Sequence, residues 1–153
     1  MDAFLDHIRN GDLEQIKKIL AERPALLNQA GPKGFTPLIL AGYSGHYALA
    51  KYLLEQGAEV DARDLAGNTA LMGICFKGEK DIAALLLEYG ADINAQNQMG
   101  FTALIFAVQF EQTEIVRLLL ERGADKDLAD AQGQTALAYA RAKRNRELIR
   151  MLV

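Results

Sequence analysis

The chain has 153 residues, of which 50% are hydrophobic and 24% are charged, so it can bury one core and is too apolar to be disordered. Its formal net charge of −3 argues against nucleic acid as the partner, because binding to phosphates needs a basic surface. The single cysteine, Cys75, excludes an internal disulfide and is typical of a reducing compartment such as the cytoplasm.

The chain also lacks the sequence features of secretion and of membrane insertion. Its first residues, Met1 to Arg9, have neither the basic start nor the apolar run of a signal peptide. No apolar stretch approaches the roughly 20 residues needed to cross a bilayer. We therefore expect a soluble, cytoplasmic protein.

The N-terminal segment, residues 1–30, predicts two short helices with Gly11 between them. Its plan is that of the later units, displaced by one residue, and we interpret it as an N-terminal cap. The apolar residues of the second helix lie on one face: Leu13, Ile16, Ile19 and Leu20.

The first full unit, residues 31–63, begins with a glycine-containing turn. Thr36 is placed to cap the first amides of a helix, and Pro37 occupies the position that proline favours there. Gly45 is placed to end this helix, because glycine tolerates the left-handed backbone conformation. A second helix follows, with apolar residues on one face: Leu49, Ala50, Leu53 and Leu54.

This plan recurs with a period of 33 residues, which predicts a repeat protein with further full units at 64–96 and 97–129. Each unit carries a turn glycine, a capping threonine and an apolar leucine, and the full units end in a Gly-Ala-acid corner. The recurring residues are Gly34, Gly67, Gly100 and Gly133, then Thr36, Thr69, Thr102 and Thr135, then Leu38, Leu71, Leu104 and Leu137.

Neighbouring units must stack, because neither helix is long enough to be stable alone and a pair cannot cover its own apolar face. The sequence therefore predicts one all-α domain over residues 1–153, a solenoid of helix-turn-helix units joined by short β-turns or hairpins. The last unit, residues 130–153, is predicted to be a C-terminal cap whose polar surface keeps the stack soluble. Its outward basic residues are Arg141, Lys143, Arg144, Arg146 and Arg150.

The pattern from Gly31 to Ala129 resembles the ankyrin repeat family, and the resemblance covers essentially the whole chain. The family motif runs turn glycine, Thr-Pro-Leu-His, helix, glycine, second helix and Gly-Ala-Asp corner. Proline survives only as Pro37, and the departures resemble those of many bacterial members. Apolar packing should replace the family's Thr-His hydrogen bonds, because the histidine position holds Ile39, Met72, Ile105 and Ala138.

The resemblance implies protein recognition through the turn tips and the concave side of the first helices, without a shared ligand or chemistry. The sites that the family exposes there, called the groove positions below, can be carried over onto each unit of this chain. They are Pro32, Lys33, Phe35, Tyr43 and Ser44; Leu65, Ala66, Asn68, Phe76 and Lys77; Gln98, Met99, Phe101, Gln109 and Phe110; and Ala131, Gln132, Gln134, Ala142 and Lys143.

Five of the eleven aromatic residues fall on the groove positions, where the family does not require an apolar residue. Exposed aromatic and methionine side chains are typical of interface centres, although any one ring could instead fold back and pack within the stack. Polar residues such as Lys33 and Asn68 would form a rim. The predicted partner-binding residues are Phe35, Tyr43, Phe76, Lys77, Met99, Phe101, Gln109 and Phe110.

The sequence predicts no enzyme, no cofactor and no metal site. A catalytic centre needs a nucleophile, a base and an orienting group close together, whereas His7, His46 and Cys75 lie in different units. His46 matches a frequent structural residue of the family, and Cys75 occupies a core position of a first helix. The recurring corner acids follow the repeat and lack the ligand spacing of a calcium loop, which indicates structural corners.

Two other hypotheses remain open at this point. The basic C-terminal cap could bind nucleic acid or another acidic surface, and steep loss of binding with salt would identify such a site. The chain could also be a structural spacer, in which case replacing the groove aromatics would change no association. We expect a monomer whose partner is a protein.

Overall fold

The computed structural model describes residues 2–153, so Met1 of the predicted N-terminal cap lies outside the described residues. This part of the chain contains ten α-helices and no strand. None of these helices has the length and hydropathy that a membrane span requires. The helices are α1 Asp2–Asn10, α2 Leu13–Glu22, α3 Pro37–Tyr43, α4 Tyr47–Glu55, α5 Ala70–Lys77, α6 Lys80–Glu88, α7 Ala103–Gln109, α8 Thr113–Glu121, α9 Ala136–Ala142 and α10 Arg146–Leu152.

The helices form five consecutive pairs that stack in chain order. The first helices of the pairs, α1, α3, α5, α7 and α9, form an inner layer in which each contacts the next. The helices α4, α6, α8 and α10 form an outer layer in the same way. The principal contacts of each unit are therefore with its nearest neighbours, and the predicted all-α solenoid is confirmed.

Threonine caps begin four of the inner helices, as the sequence predicts. The hydroxyl oxygen of Thr36 accepts a hydrogen bond from the Ile39 amide at 3.2 Å, and Thr69, Thr102 and Thr135 repeat this bond. The side chains in place of the family histidine are buried at Ile39, Met72 and Ile105. Apolar packing therefore occupies the space that the missing histidine would fill.

The core lies between the two helical layers. A column of leucines, one on each outer helix from α4 to α10, is almost fully buried: Leu53, Leu86, Leu119 and Leu152. Their spacing equals the 33-residue period, so each unit contributes the same side chain to the same place in the stack. This arrangement makes the core continuous from one unit to the next.

Hydrogen bonds between successive turn tips align the units. The backbone amides of Leu65, Gln98 and Ala131 each donate to a carbonyl in the preceding turn, at 2.9–3.2 Å. Within a turn, one carboxylate oxygen of Asp64 accepts from the amides of Ala66 and Asn68, both at 2.9 Å. Asn97 and Asp130 make the same pair of bonds in the following turns. Backbone and side-chain hydrogen bonds therefore both position the turns.

The recurring corner residues also make structural contacts between units. The Asp61 carboxylate accepts the backbone amide of Asp92, and the Asn94 side chain accepts that of Asp125 at 2.9 Å. Asn28 contacts Glu59 in the same way. These bonds agree with the interpretation of the acids as corner residues.

Deletion of one internal unit, residues 64–96, should leave a shorter but folded solenoid, because each unit is stabilised mainly by its neighbours. Circular dichroism should show a cooperative melt at a lower temperature, since one interface is lost. Deletion of residues 64–79, which leaves α6 without its inner partner, is the matched control and should melt without cooperativity. Molten behaviour of the whole-unit deletion would contradict a modular stack.

Candidate functional site

Six aromatic rings form a continuous row along the inner helices. The Phe76 ring lies nearly parallel to that of Tyr43, with centroids 5.8 Å apart, and meets Phe110 edge-on at 4.7 Å. Such pairs add about 0.5–1.5 kcal/mol each beyond the burial of their surface, so the row is a pre-formed surface. In order, this aromatic row consists of Tyr43, Phe76, Phe110, Phe106, Phe101 and Tyr139.

An open cleft of about 360 Å³ lies at the Tyr43 end of the aromatic row. Its walls come from α3, α5 and α7, from Phe110 just after α7 and from the turns before α3 and α5, and they are mainly apolar. The principal apolar walls are Phe35, Met72, Phe76, Phe106 and Phe110. The volume is at the lower end of the range of protein ligand pockets, which suits one or two side chains of a partner.

Four of the eight residues predicted to bind a partner line this cleft. Tyr43, Phe76 and Phe110 are exposed by 42%, 46% and 41%, whereas Phe35 is half-buried against the core. Exposed rings at adjacent positions leave a contiguous apolar surface in water, which is the usual character of a binding site.

The other four predicted residues lie outside the cleft lining. The Lys77 ammonium lies 5.0 Å from the centroid of the Tyr43 ring, a cation–π contact that places it at the rim. Phe101 is half-buried and continues the aromatic row, and Gln109 is half-buried at the end of α7. Met99 is 56% exposed at a turn tip. The structure thus gathers the predicted aromatics more closely than the predicted polar residues.

Sequence reasoning did not assign several cleft-lining residues to the groove positions, among them Phe106 and Gly73. Both occupy one repeat position in the inner helices, which Leu40 and Tyr139 occupy in the other units. The motif treats this position as part of the core, so the sequence pattern predicts no exposed side chain there. The change in side-chain size at a single repeat position was the signal that could have identified them.

The reactive side chains that the sequence offered are engaged in structural contacts. Cys75 is completely buried, and burial raises the pKa of its thiol far above the usual range. His46 donates from Nε2 to the Arg9 carbonyl at 2.7 Å, which joins the first two units. His7 donates to the Asp12 carboxylate at 2.9 Å. No cluster of potential metal ligands occurs within residues 2–153.

One buried acid adjoins the far end of the aromatic row. The Tyr139 hydroxyl donates to Asp130, and this bond, with amide bonds from Gln134 and Gln132, holds the pKa of that carboxyl below its usual value. The same bond and partial burial raise the pKa of Tyr139 to about 12. Both groups therefore keep one charge state near neutral pH and act as a structural pair.

The basic residues of the last unit form a separate exposed surface on α9, α10 and the turn between them. All five side chains are exposed. Glu147, an acid within this basic surface, pairs with Arg117 of the preceding unit at 3.6 Å. The five residues are Arg141, Lys143, Arg144, Arg146 and Arg150.

Known proteins resemble this chain in its repeats. A family model of ankyrin repeats in three copies matches residues 4–97 and 90–153. Protein phosphatase 1 regulatory subunit 27 of Mus musculus is 41% identical over 61 residues, which are 40% of this chain and 40% of that protein. Ankyrin repeat domain-containing protein 39 of Homo sapiens is 43% identical over 56 residues, 35% of this chain and 29% of that protein.

A third relative is an enzyme. The NAD-capped RNA hydrolase NUDT12 of Homo sapiens is 37% identical over 49 residues, which are 32% of this chain and only 11% of that protein. The alignments span two fifths or less of the length of all three relatives.

Proposed function

The chain belongs to the ankyrin repeat family, and we propose that it is a non-catalytic module that binds a protein partner along its aromatic row and turn tips. Ankyrin repeats generally mediate protein–protein interactions. The proposal assigns the partner contacts to this surface because the inner helices expose adjacent aromatic rings there. Its biological role would be that of an adaptor, a regulator or an inhibitor.

The observation that carries the proposal is the exposure of Tyr43, Phe76 and Phe110 in three successive units. Each of these rings keeps more than two fifths of its surface in water and so forgoes about 1 kcal/mol of burial, which a partner surface can recover. Aromatic anchors near the centre of an interface often cost about 2 kcal/mol or more when truncated. A stack that needed these rings only for packing would bury them, as it does Phe4.

A regulatory role is supported by one relative, whose name identifies it as a phosphatase regulatory subunit. The alignment covers 40% of that protein, so the name supports a class of role and not a particular partner. The hydrolase match covers 11% of that enzyme and supports no catalytic proposal for this chain. The buried Cys75 and the hydrogen-bonded histidines agree with a non-catalytic module.

Replacing both exposed phenylalanines at the centre of the row, Phe76→Ala with Phe110→Ala, should weaken partner binding by about tenfold or more. The variant should remain folded and lose about 1.5–4.5 kcal/mol of stability, the sum over the three ring pairs that it removes. Affinity capture from a lysate of the producing organism, at low and high salt, measures the binding. Thermal melts measure the stability.

The matched control replaces two exposed aromatics outside the cleft, Tyr47→Ala with Tyr89→Ala. These residues are 38% and 40% exposed and lie at the start of α4 and just after α6. The control should retain the partner that the groove variant loses. A loss of stability well beyond that of the three ring pairs would refute a surface role for the two rings. If the groove variant retains every partner, the chain acts as a spacer. If a partner is retained by the groove variant but lost at high salt, it binds the basic C-terminal surface.

A further inference from the structure

In the cleft floor α5 carries a glycine where α3, α7 and α9 carry a large side chain. Leu40, Gly73, Phe106 and Tyr139 occupy the same repeat position. A Cβ atom built on Gly73 would have one heavy atom within 4 Å, Cδ2 of Tyr43 at 3.9 Å, which is ordinary contact. The space above Gly73 is therefore open, and the neighbouring rings form its walls.

The backbone of α5 does not require a glycine at this position. Gly73 lies inside the helix, and its amide donates to the Thr69 carbonyl at 3.2 Å. It does not adopt the left-handed conformation found at the turn glycines. Glycine is less favourable than alanine inside a helix, so the residue weakens α5 without providing a turn. The effect of Gly73 on the structure is to leave the cleft open.

Charge at the groove positions favours an acidic occupant. The charged residues there are Lys33, Lys77 and Lys143, with no acid, although the whole chain has a net charge of −3. Within residues 2–153, Lys33 and Lys77 have no carboxylate within ion-pair distance. The one acid in the cleft wall, Asp64, already accepts two amide hydrogen bonds. Lys77 over the Tyr43 ring would repel a second cation.

We propose that the cleft over Gly73 receives one aromatic or aliphatic side chain of an acidic segment of a partner protein, whose carboxylates pair with Lys33 and Lys77. The inference rests on the proposed function and names the chemistry of its partner. The apolar walls bury the anchor side chain, and the two lysines at the rim select flanking acids and orient the segment.

The test uses a displayed library of random twelve-residue peptides, selected on the wild-type protein. Enriched peptides are synthesised with a fluorescent label, and their affinities are measured by anisotropy. We expect them to combine an aromatic or aliphatic residue with a net negative charge. Failure to enrich any peptide, or enrichment of basic ones, would overturn the proposal.

Filling the cleft should abolish this binding without harming the fold. Gly73→Leu places in α5 the side chain that Leu40 has in α3, so binding should weaken by at least about tenfold. Its melting temperature should equal or exceed that of the wild type, since glycine is unfavourable in a helix. Gly73→Ala, which adds a single methyl group, is the matched control and should bind within about twofold of the wild type. If leucine distorts the helix, the more flexible Gly73→Met provides the same block.

Reversing the rim charges tests the second part of the proposal. Lys33→Glu with Lys77→Glu should weaken binding of the acidic peptides, whereas Lys18→Glu with Lys51→Glu makes the same charge change on α2 and α4 and should not. Peptides that are lost with the Phe76/Phe110 variant but bind Gly73→Leu unchanged would refute the anchor and leave the proposed function standing. Peptides whose binding changes neither with the Phe76/Phe110 variant nor with Gly73→Leu would count against both the anchor and the proposed function.

Discussion

Leu86→Ala is expected to lower the free energy of unfolding by about 2–5 kcal/mol. Leu86 lies in α6, its side chain has no exposed surface, and it belongs to the column of leucines that joins the units. Removal of its isobutyl group loses hydrophobic burial and leaves a cavity, because the helices on both sides hold the gap open. Urea titration followed by circular dichroism measures the change.

The matched control for this substitution is Leu65→Ala. Leu65 is 73% exposed at a turn tip, so its truncation should change stability by no more than about 0.5 kcal/mol. If the two substitutions lower the free energy of unfolding equally, Leu86 does not lie in the core and the register of α6 is wrong.

Gly100→Ala is expected to destabilise the stack through two separate effects. Its backbone has φ of +80°, where a residue with a Cβ atom costs about 1–2 kcal/mol. That Cβ would also lie 2.7 Å from the backbone nitrogen of Ala131 and 2.9 Å from Cα of Asp130. Since both atoms belong to the backbone of the next turn, the turns must move apart, at a further cost of about 1–3 kcal/mol. Thermal and urea unfolding measure the sum.

Gly133→Ala separates the two effects. Gly133 has nearly the same φ, +79°, but a Cβ there would have no heavy atom within 4 Å. It should therefore show only the conformational cost of about 1–2 kcal/mol. If Gly100→Ala proves no worse than Gly133→Ala, the close approach of successive turns does not contribute to stability.

The sequence predicted much of the candidate site but not its shape. The family positions identified Tyr43, Phe76 and Phe110, and the structure brings these rings together in one cleft. The same reasoning could not predict that Phe35 and Phe101 are half-buried, because the burial of a ring depends on which side chains of other units pack against it. It also missed Phe106. This residue occupies a core position of the motif, but its ring reaches the cleft because the preceding unit has Gly73 at the same position.

By itself the sequence determined the fold. A period of 33 residues that carries turn glycines, threonine caps and two apolar helical faces can bury those faces only by stacking, and these are local signals that recur in each unit. Only the tertiary structure decided where the cleft lies. The missing side chain at Gly73 creates space only because Tyr43, Phe76 and Phe110 from three successive units surround it, and the sequence positions of these residues do not specify how their rings are oriented.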